Sequence, residues 1–152
     1  MSQTLFKTNI PFETWDLDLL VDYVLKFHHR NTRKYGNELL ERLNQLAANH
    51  PELDRVVDHF RNSIADLDLH CQKEENVLYP FILELFNTAE LGQEHAPFHC
   101  GSIQFPINAM MADHSDEIER HDRIAELTNN YTAPEGAEPE YVKALADLKQ
   151  FR

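Results

Sequence analysis

The feature that most constrains this chain is the spacing of its apolar side chains, which recur every three or four residues over long stretches. Only four glycines interrupt the 152 residues. This spacing gathers the apolar side chains on one face of a helix, and no useful length of sequence alternates as a strand would. Helices of about 30 residues span roughly 45 Å, and when short loops join them they pack most economically as an up-down-up-down four-helix bundle. We therefore predict an all-α fold of this type.

Capping residues and prolines place the first two helices. The first should begin near Asp16, with Thr14 or Asp16 as N-cap, and continue to about Ala48. The second should follow Pro51, which suits a first helical turn and holds His50 extended, and Pro80 should kink it. The predicted inner face of the first helix comprises Leu17, Leu20, Val21, Val24, His28, Tyr35, Leu39, Leu43 and Leu46. That of the second comprises Val57, Phe60, Ile64, Leu67, His70, Glu74, Leu78, Phe81 and Leu85.

Two further helices complete the predicted bundle. The inner face of the third comprises Ile107, Met110, Met111, His114, Ile118, His121 and Ala125. The fourth should begin near Pro139 or Glu140, with Tyr141, Ala144 and Leu148 facing inward. It reaches Arg152 after only about three and a half turns, so we expect a truncated fourth helix and a bundle that is incomplete at its C-terminal end.

Composition places the chain among cytoplasmic proteins of one domain. We expect residues 1–15 to be an N-terminal extension and residues 16–152 to form the bundle. Cys71 and Cys100 have neither disulfide-framework nor metal-ligand spacing, which favours a reducing compartment. No signal sequence or membrane span is evident. A formal charge of −12 without a basic block argues against nucleic acid as a partner.

The stretch "HCQKEENVLYPF", residues 70–81, puts an imidazole and a carboxylate on an otherwise apolar face. His70 and Glu74 are one turn apart, so both can reach one metal ion or two adjacent ions. A buried carboxylate without a partner costs several kcal/mol, more than most single core residues return. His28 and His114 lie on the apolar faces of their own helices in the same way. The pattern therefore predicts a metal site between three helices.

Two alternatives remain open on the residues alone. A single inward histidine is more often a hydrogen-bonded core residue than a ligand. In another register, Glu74 and Glu75 would lie on a solvated face beside Lys73, although the apolar residues from Val77 to Ile82 would then lose their burial. Imidazole and carboxylate ligands suit iron or manganese, and zinc satisfies the same ligand types.

Four segments, "KFHHRN", "HCQKEENVLYPF", "MMADHSDEI" and "LTNNYTAPEG", resemble hemerythrin-like di-iron proteins, most closely the repair-of-iron-centres (RIC) group. The resemblance implies that His28, His50, His70 and His114 are iron ligands and that Glu74 bridges two iron ions, together with an oxide or hydroxide. In that family the fourth helix supplies a further His-xxx-Glu, which this sequence does not contain before Arg152. The resemblance does not extend to the family's N-terminal cysteine-bearing domain, which we expect this chain to lack.

Other histidines are expected to lie outside the site. His29 follows His28 by one residue and should point about 100° away around the helix, to the surface or to a position that supports a ligand. His121 is expected to line the site rather than to bind metal. His95, His99 and Cys100 could imitate half of a zinc site, but no second half exists.

The resemblance implies repair of iron–sulfur clusters after nitric oxide or oxidative stress, by iron donation or by reaction with NO. The partners would be iron, a diatomic ligand (NO or O2) and damaged iron–sulfur proteins. Reversible O2 binding or sensing at the same di-iron centre is the alternative, and a metal-free structural bundle is the second. Because a short fourth helix leaves apolar surface uncovered, we also expect this form to be a homo-oligomer.

Overall fold

The computed structural model describes residues 10–94 and 102–152. Much of the predicted N-terminal extension, residues 1–9, lies outside the described residues. So do His95, His99 and Cys100, the residues of the possible half zinc site. The described part of the chain contains helices and turns and no strand, which confirms the predicted all-α class.

The first long element is a helical rod that contains one wide turn. Its backbone is α-helical at Leu17–Tyr23 (α1), π-helical at Val24–His29 and α-helical again at Arg30–Ala47 (α2). Asp16 precedes it with the extended backbone of an N-cap, as predicted. We call α1, this π turn and α2 together the first rod.

A corner at His50 reverses the chain. Pro51–Leu53 forms a short 3-10 turn before the next helix, so the predicted place of Pro51 in a first helical turn is confirmed. His50, with φ −132° and ψ 79°, lies outside the extended region that was predicted for it. The second rod then comprises α3 (Asp54–Lys73), a π turn at Glu74–Leu78 and α4 (Tyr79–Glu90). Pro80 cannot donate a hydrogen bond to the preceding turn, and the regular helix is interrupted just before it, where the kink was predicted.

The third and fourth helices are α5 (Gln104–Leu127) and α6 (Pro139–Phe151). Between them the backbone turns through three consecutive left-handed residues, Asn129, Asn130 and Tyr131, with φ of 47°, 57° and 59°. The hydroxyl of Thr128 donates to the carbonyl of Ile124 and accepts the amide of Tyr131. These bonds satisfy backbone groups where α5 ends.

The core lies where α2, α3, α5 and α6 meet. From Arg42 to His50 the hydrogen-bond partners step back from Asp147 to Glu138. From Ser63 to Lys73 they step back from Glu117 to Asp113. These helix pairs are therefore antiparallel, in agreement with the predicted up-down-up-down bundle. Gly36 lies against Ile64 and Phe151 and leaves no room for a side chain. The buried apolar residues of this core are Leu39, Leu43, Leu46, Leu53, Val56, Val57, Phe60, Ile64, Ile124, Tyr141, Ala144, Leu145 and Leu148.

Two predicted inner faces need correction. On the first rod, Leu17 and Tyr35 are exposed, and Gly36 beside Tyr35 is buried. Tyr35 follows the π turn Val24–His29, which shifts the register of the helix after it.

On α5 the predicted inner face is exposed at Ile107, Met111, His114 and Ile118, whereas Met110 and His121 are buried as predicted. The 13 residues of α6 span about 20 Å, so α6 covers only part of the 24-residue α5.

A substitution of Phe60 would test the packing of the core far from any candidate ligand. It is fully buried and meets Phe151 edge to face at 5.2 Å. Phe60→Ala should lower the free energy of unfolding by about 3–5 kcal/mol through lost burial and the cavity left behind. Val142→Ala, at an exposed position of α6, is the control and should change it by about 0.5 kcal/mol or less. Urea unfolding followed by circular dichroism measures both, and equal effects would contradict this account of the core.

Candidate metal centre

The three residues His70, Glu74 and His114 converge between the second rod and α5. His70 lies in the last turn of α3, Glu74 opens the following π turn, and His114 lies near the middle of α5. One ligand atom from each lies within 4.8 Å of the other two. This is the cluster that the sequence predicted on the second and third helices.

The Glu74 carboxylate is the hub of the cluster. Its Oε2 lies 2.9 Å from His29 Nε2 and its Oε1 lies 3.3 Å from His70 Nε2, while only 12% of the side chain is exposed. Burial alone would raise the pKa of this carboxyl, but hydrogen bonds from His29 and His70 lower it to about 2. Glu74 is therefore a largely buried anion that two imidazoles stabilise.

His70 and His114 face each other through the same ring atom. Their Nε2 atoms are 3.1 Å apart, and His70 Nδ1 lies 3.2 Å from Asp113 Oδ2. If His70 donates its Nδ1 proton to Asp113, its Nε2 presents a lone pair. A cation near the two Nε2 atoms and Glu74 could then use all three donors. The donor set therefore fits a metal ion such as iron, manganese or zinc.

His29 uses both ring nitrogens in this site. Its Nδ1 lies 2.9 Å from Glu75 Oε1, opposite the contact of Nε2 with Glu74, and its ring stacks on Tyr79 at 5.8 Å. Burial alone would lower the pKa of His29, but hydrogen bonds with Cys71, Glu74 and Glu75 raise it to about 10. Without metal, His29 is therefore a cation between two carboxylates.

The structure does not bring His28 into the cluster. His28 packs edge to face against Tyr23 at 5.2 Å and Phe27 at 5.3 Å, and burial followed by the charge of His29 lowers its pKa. The prediction assumed an unbroken α-helix, whereas the π turn Val24–His29 adds a residue to one turn and shifts the register of the helix after it. His29, expected to point away, thereby takes the inward position.

A signal for this shift is present in the sequence. Stepping back by heptads from Leu43 through Gly36 reaches His29, whereas stepping forward from Val21 by seven residues reaches His28. The two apolar faces of the rod are thus out of phase by one residue. Such a phase slip indicates a π turn between them, and the prediction missed it.

His50 also lies outside the cluster. Its Nε2 is 2.9 Å from Glu138 Oε1 and its ring meets Tyr141 at 4.8 Å. From Asp54, close to this corner, to His70 the helix rises about 24 Å. The separation explains why the ligand role implied by the resemblance finds no support here: the corner and the cluster are at different levels of the bundle.

The register of the second rod agrees with the sequence expectation, because Leu78 and Phe81 are buried and the Glu74 side chain is only 12% exposed. Cys71 is a buried free thiol. His121, which was expected to line the site, lies about two turns along α5 from His114. His121 is buried beside Phe151, and its Nε2 lies 3.9 Å from Glu117 Oε2. It is therefore not part of the cluster.

A helical bundle whose facing helices direct imidazoles and a carboxylate inward is an architecture of metal-binding proteins. The family model described as "Hemerythrin HHE cation binding domain" matches residues 20–151. The chain therefore belongs to the hemerythrin HHE cation-binding family. The residues that could hold the cation are those of the cluster, with His29 beside them.

Two curated relatives are similar to nearly the whole chain. The iron-sulfur cluster repair protein DnrN of Neisseria gonorrhoeae is 27% identical over 147 residues, which are 92% of this chain and 84% of the relative. The iron-sulfur cluster repair protein YtfE of Citrobacter koseri is 24% identical over 127 residues, 81% of this chain and 52% of the relative. The chain thus spans about half the length of the second relative. These matches confirm the resemblance to the RIC group.

Residues 10–94 and 102–152 include no helix with both the length and the apolar character needed to cross a bilayer.

The neighbouring histidines of the first rod give a discriminating mutant pair. His29→Ala should weaken Fe(II) binding about 10-fold or more because it removes an imidazole directed at Glu74. His28→Ala should leave the affinity within about twofold, since that ring packs against aromatic side chains. Anaerobic titration with Fe(II) measures both dissociation constants. A larger loss for His28→Ala would favour the ligand role that the resemblance implied.

Metal binding should displace protons from the site. The pKa of His29 is about 10, and the hydrogen bond to Glu74, against burial, raises the pKa of His70 above its ordinary value. Both imidazoles must lose a proton to bind metal, so Fe(II) binding at pH 7 should release about one to two protons, and affinity should rise with pH. Calorimetric titrations in buffers of different ionisation enthalpy measure this number. Equal heats in all buffers would contradict it.

Proposed function

We propose that the chain is an iron-binding protein that supports the repair of iron–sulfur clusters through a centre formed by His29, His70, Glu74 and His114. The observation that carries the proposal is that imidazoles from the first rod and the second rod contact one largely buried carboxylate, and that His114 of α5 lies within 4.8 Å of it. Membership of a cation-binding family and the names of the two relatives support it.

The two oxygens of Glu74 support a centre with two iron ions. Oε2 faces His29, whereas Oε1 faces His70, whose Nε2 in turn meets His114. A carboxylate with a different imidazole on each oxygen is suited to bridge two cations, and an oxide or hydroxide would add a second bridge. Iron would supply redox chemistry and a position for a diatomic ligand, while these residues would bind it.

Iron donation is favoured by the exposure of one side of the site. His114 is exposed, whereas His70 is buried. A cavity of about 520 Å³ reaches both rings, and its lining mixes carboxylates with Lys73 and apolar side chains. The carboxylates are those of Asp66, Asp113, Asp116 and Glu117. A cation held partly by an exposed ligand beside this open cavity can leave without unfolding of the bundle. We therefore propose donation of iron to damaged clusters after nitric oxide or oxidative damage.

We also propose that the protein is cytoplasmic and that it self-associates. The buried free thiol of Cys71 suits a reducing compartment. Exposed apolar side chains on α5, among them Phe105, Met111 and Ile118, favour a homo-oligomer.

The proposal is tested by cluster repair. The chain is loaded with Fe(II) anaerobically, its iron content is measured, and it is mixed with a dehydratase whose [4Fe–4S] cluster has been damaged by NO. We expect near two irons per chain, as the di-iron resemblance implies, and recovery of dehydratase activity faster than with the same amount of free Fe(II). Glu74→Ala should abolish both, because it removes the residue to which the imidazoles converge. Glu84→Ala, at an exposed position of α4, is the matched control.

Three outcomes would redirect the proposal. Bound iron with a reversible O2 spectrum and no repair would favour O2 binding or sensing. Bound iron that consumes NO without transfer to the dehydratase would favour NO chemistry over donation. No bound iron in the wild-type chain would favour a structural bundle whose histidines are core residues.

A further inference from the structure

The side of His29 that faces away from Glu74 meets a second, ordered carboxylate. His29 Nδ1 lies 2.9 Å from Glu75 Oε1. Arg33, one turn further along the first rod, donates from Nη1 to Glu75 Oε1 at 2.7 Å and from Nη2 to Glu75 Oε2 at 3.2 Å. Glu75 is therefore fixed at both oxygens by a guanidinium fork, and one of these oxygens also serves the imidazole.

Arg33 is itself held in place. Its Nε donates to Asp68 Oδ1 at 2.6 Å, so the guanidinium contacts two carboxylates that lie about two turns apart on the second rod. The Arg33 and Glu75 side chains are 35% and 27% exposed, whereas that of His29 is 6% exposed. The contacts therefore lead from Asp68 at the surface, through Arg33 and Glu75, to His29 in the interior. Such an arrangement lets a buried imidazole be oriented from outside the metal centre.

The same pattern recurs at His70. Its Nδ1 lies 3.2 Å from Asp113 Oδ2, and Lys73 donates to the same oxygen at 2.9 Å. Each of the two imidazoles that reach Glu74 thus has a carboxylate on Nδ1, and each of these carboxylates has a cation. The repetition on different helices indicates a property of the centre rather than an isolated surface ion pair.

The chemistry of imidazole explains how a carboxylate on Nδ1 would prepare the ring to bind a metal ion. A neutral imidazole has one N–H and one lone pair, and an acceptor on Nδ1 keeps the proton there and leaves the lone pair on Nε2. Histidines that bind metals commonly donate their other N–H to a carboxylate in this way. At His29 the Nε2 lone pair would then be directed at the side of Glu74 where a cation is proposed. Arg33 suits the task better than lysine because its planar fork fixes a carboxylate in orientation as well as position.

We propose that Glu75 is a positioning residue of the metal centre, which holds His29 with Nδ1 protonated and Nε2 directed at the cation, and that Arg33 locks Glu75 in that role. This inference rests on the proposed function, because it concerns a ligand of that centre. It assigns to Glu75 no contact with the cation, in contrast to Glu74. The two adjacent carboxylates therefore have different roles: Glu74 would bind the cation, and Glu75 would orient the histidine that binds it.

The test uses Zn(II) as a diamagnetic probe and compares affinity with the state of the His29 ring. Glu75→Ala should raise the Zn(II) dissociation constant about 10- to 100-fold. Glu75→Gln keeps an acceptor oxygen but loses the charged fork with Arg33, so it should fall between Glu75→Ala and wild type. Arg33→Lys should also be intermediate, and it keeps the charge if Glu75→Ala fails to fold. Glu84→Ala is the matched control and should bind as wild type does.

Nitrogen NMR of the zinc-loaded protein supplies the second readout. The wild type should show a protonated, hydrogen-bonded His29 Nδ1, and Glu75→Ala should lose this signal or shift it toward that of a solvent-exposed ring. Wild-type affinity in Glu75→Ala and Arg33→Lys would overturn the inference and leave the metal centre intact. Weaker binding with an unchanged His29 signal would also overturn it, because Glu75 would then act only through stability. A wild type that binds neither Zn(II) nor Fe(II) would overturn the proposed centre and this inference together.

Discussion

The arrangement of the helices around the metal centre depends on one constraint, which is the removal of most of the Glu74 carboxylate from solvent. An ionised carboxylate in the interior is costly unless charged or hydrogen-bonded partners replace its water. Here the partners come from different helices, since His29 lies on the first rod and His70 on the second. The level at which the rods pack is thus set by a polar contact as well as by apolar burial. His114 contacts His70, which in turn contacts Glu74, so Glu74 positions α5 indirectly.

The two π turns lie at the level of this carboxylate. One ends at His29 and the other begins at Glu74, and these are the two residues whose side chains meet. The second turn has a local cause, because Pro80 withholds the amide that a regular helix would need there. No proline lies in the first turn, which ends at the residue whose side chain pairs with Glu74 across the rods. A π turn is an uncommon irregularity that recurs at functional sites, and here its effect is to turn His29, in place of His28, toward Glu74.

Sequence reasoning succeeded where local chemistry fixes the answer. The starts at Asp16, Pro51 and Pro139, and the inward face of α3 from Phe60 to His70, follow from capping, proline geometry and an even 3.6-residue period. It failed where the period changes or where a distant element decides burial. The exchange of His28 for His29 comes from one inserted residue, which a single continuous period cannot represent. The exposure of Met111 and Ile118 depends on how far α6 reaches, and spacing along α5 carries no such information.

The charges around the centre explain how it can be ordered before any cation binds. The carboxylates of Glu74, Glu75, Asp68 and Asp113 outnumber the cations Arg33 and Lys73 that contact them. In the metal-free chain, protons on the imidazoles balance the excess negative charge, because hydrogen bonds to these carboxylates raise the pKa of His29 against the effect of burial. A proton on an imidazole and a metal ion on the same nitrogen satisfy the same anion, so exchanging one for the other leaves the helices in register. The positioning carboxylates contribute in both states, because they bind the Nδ1 side of each ring, which does not change when the cation arrives.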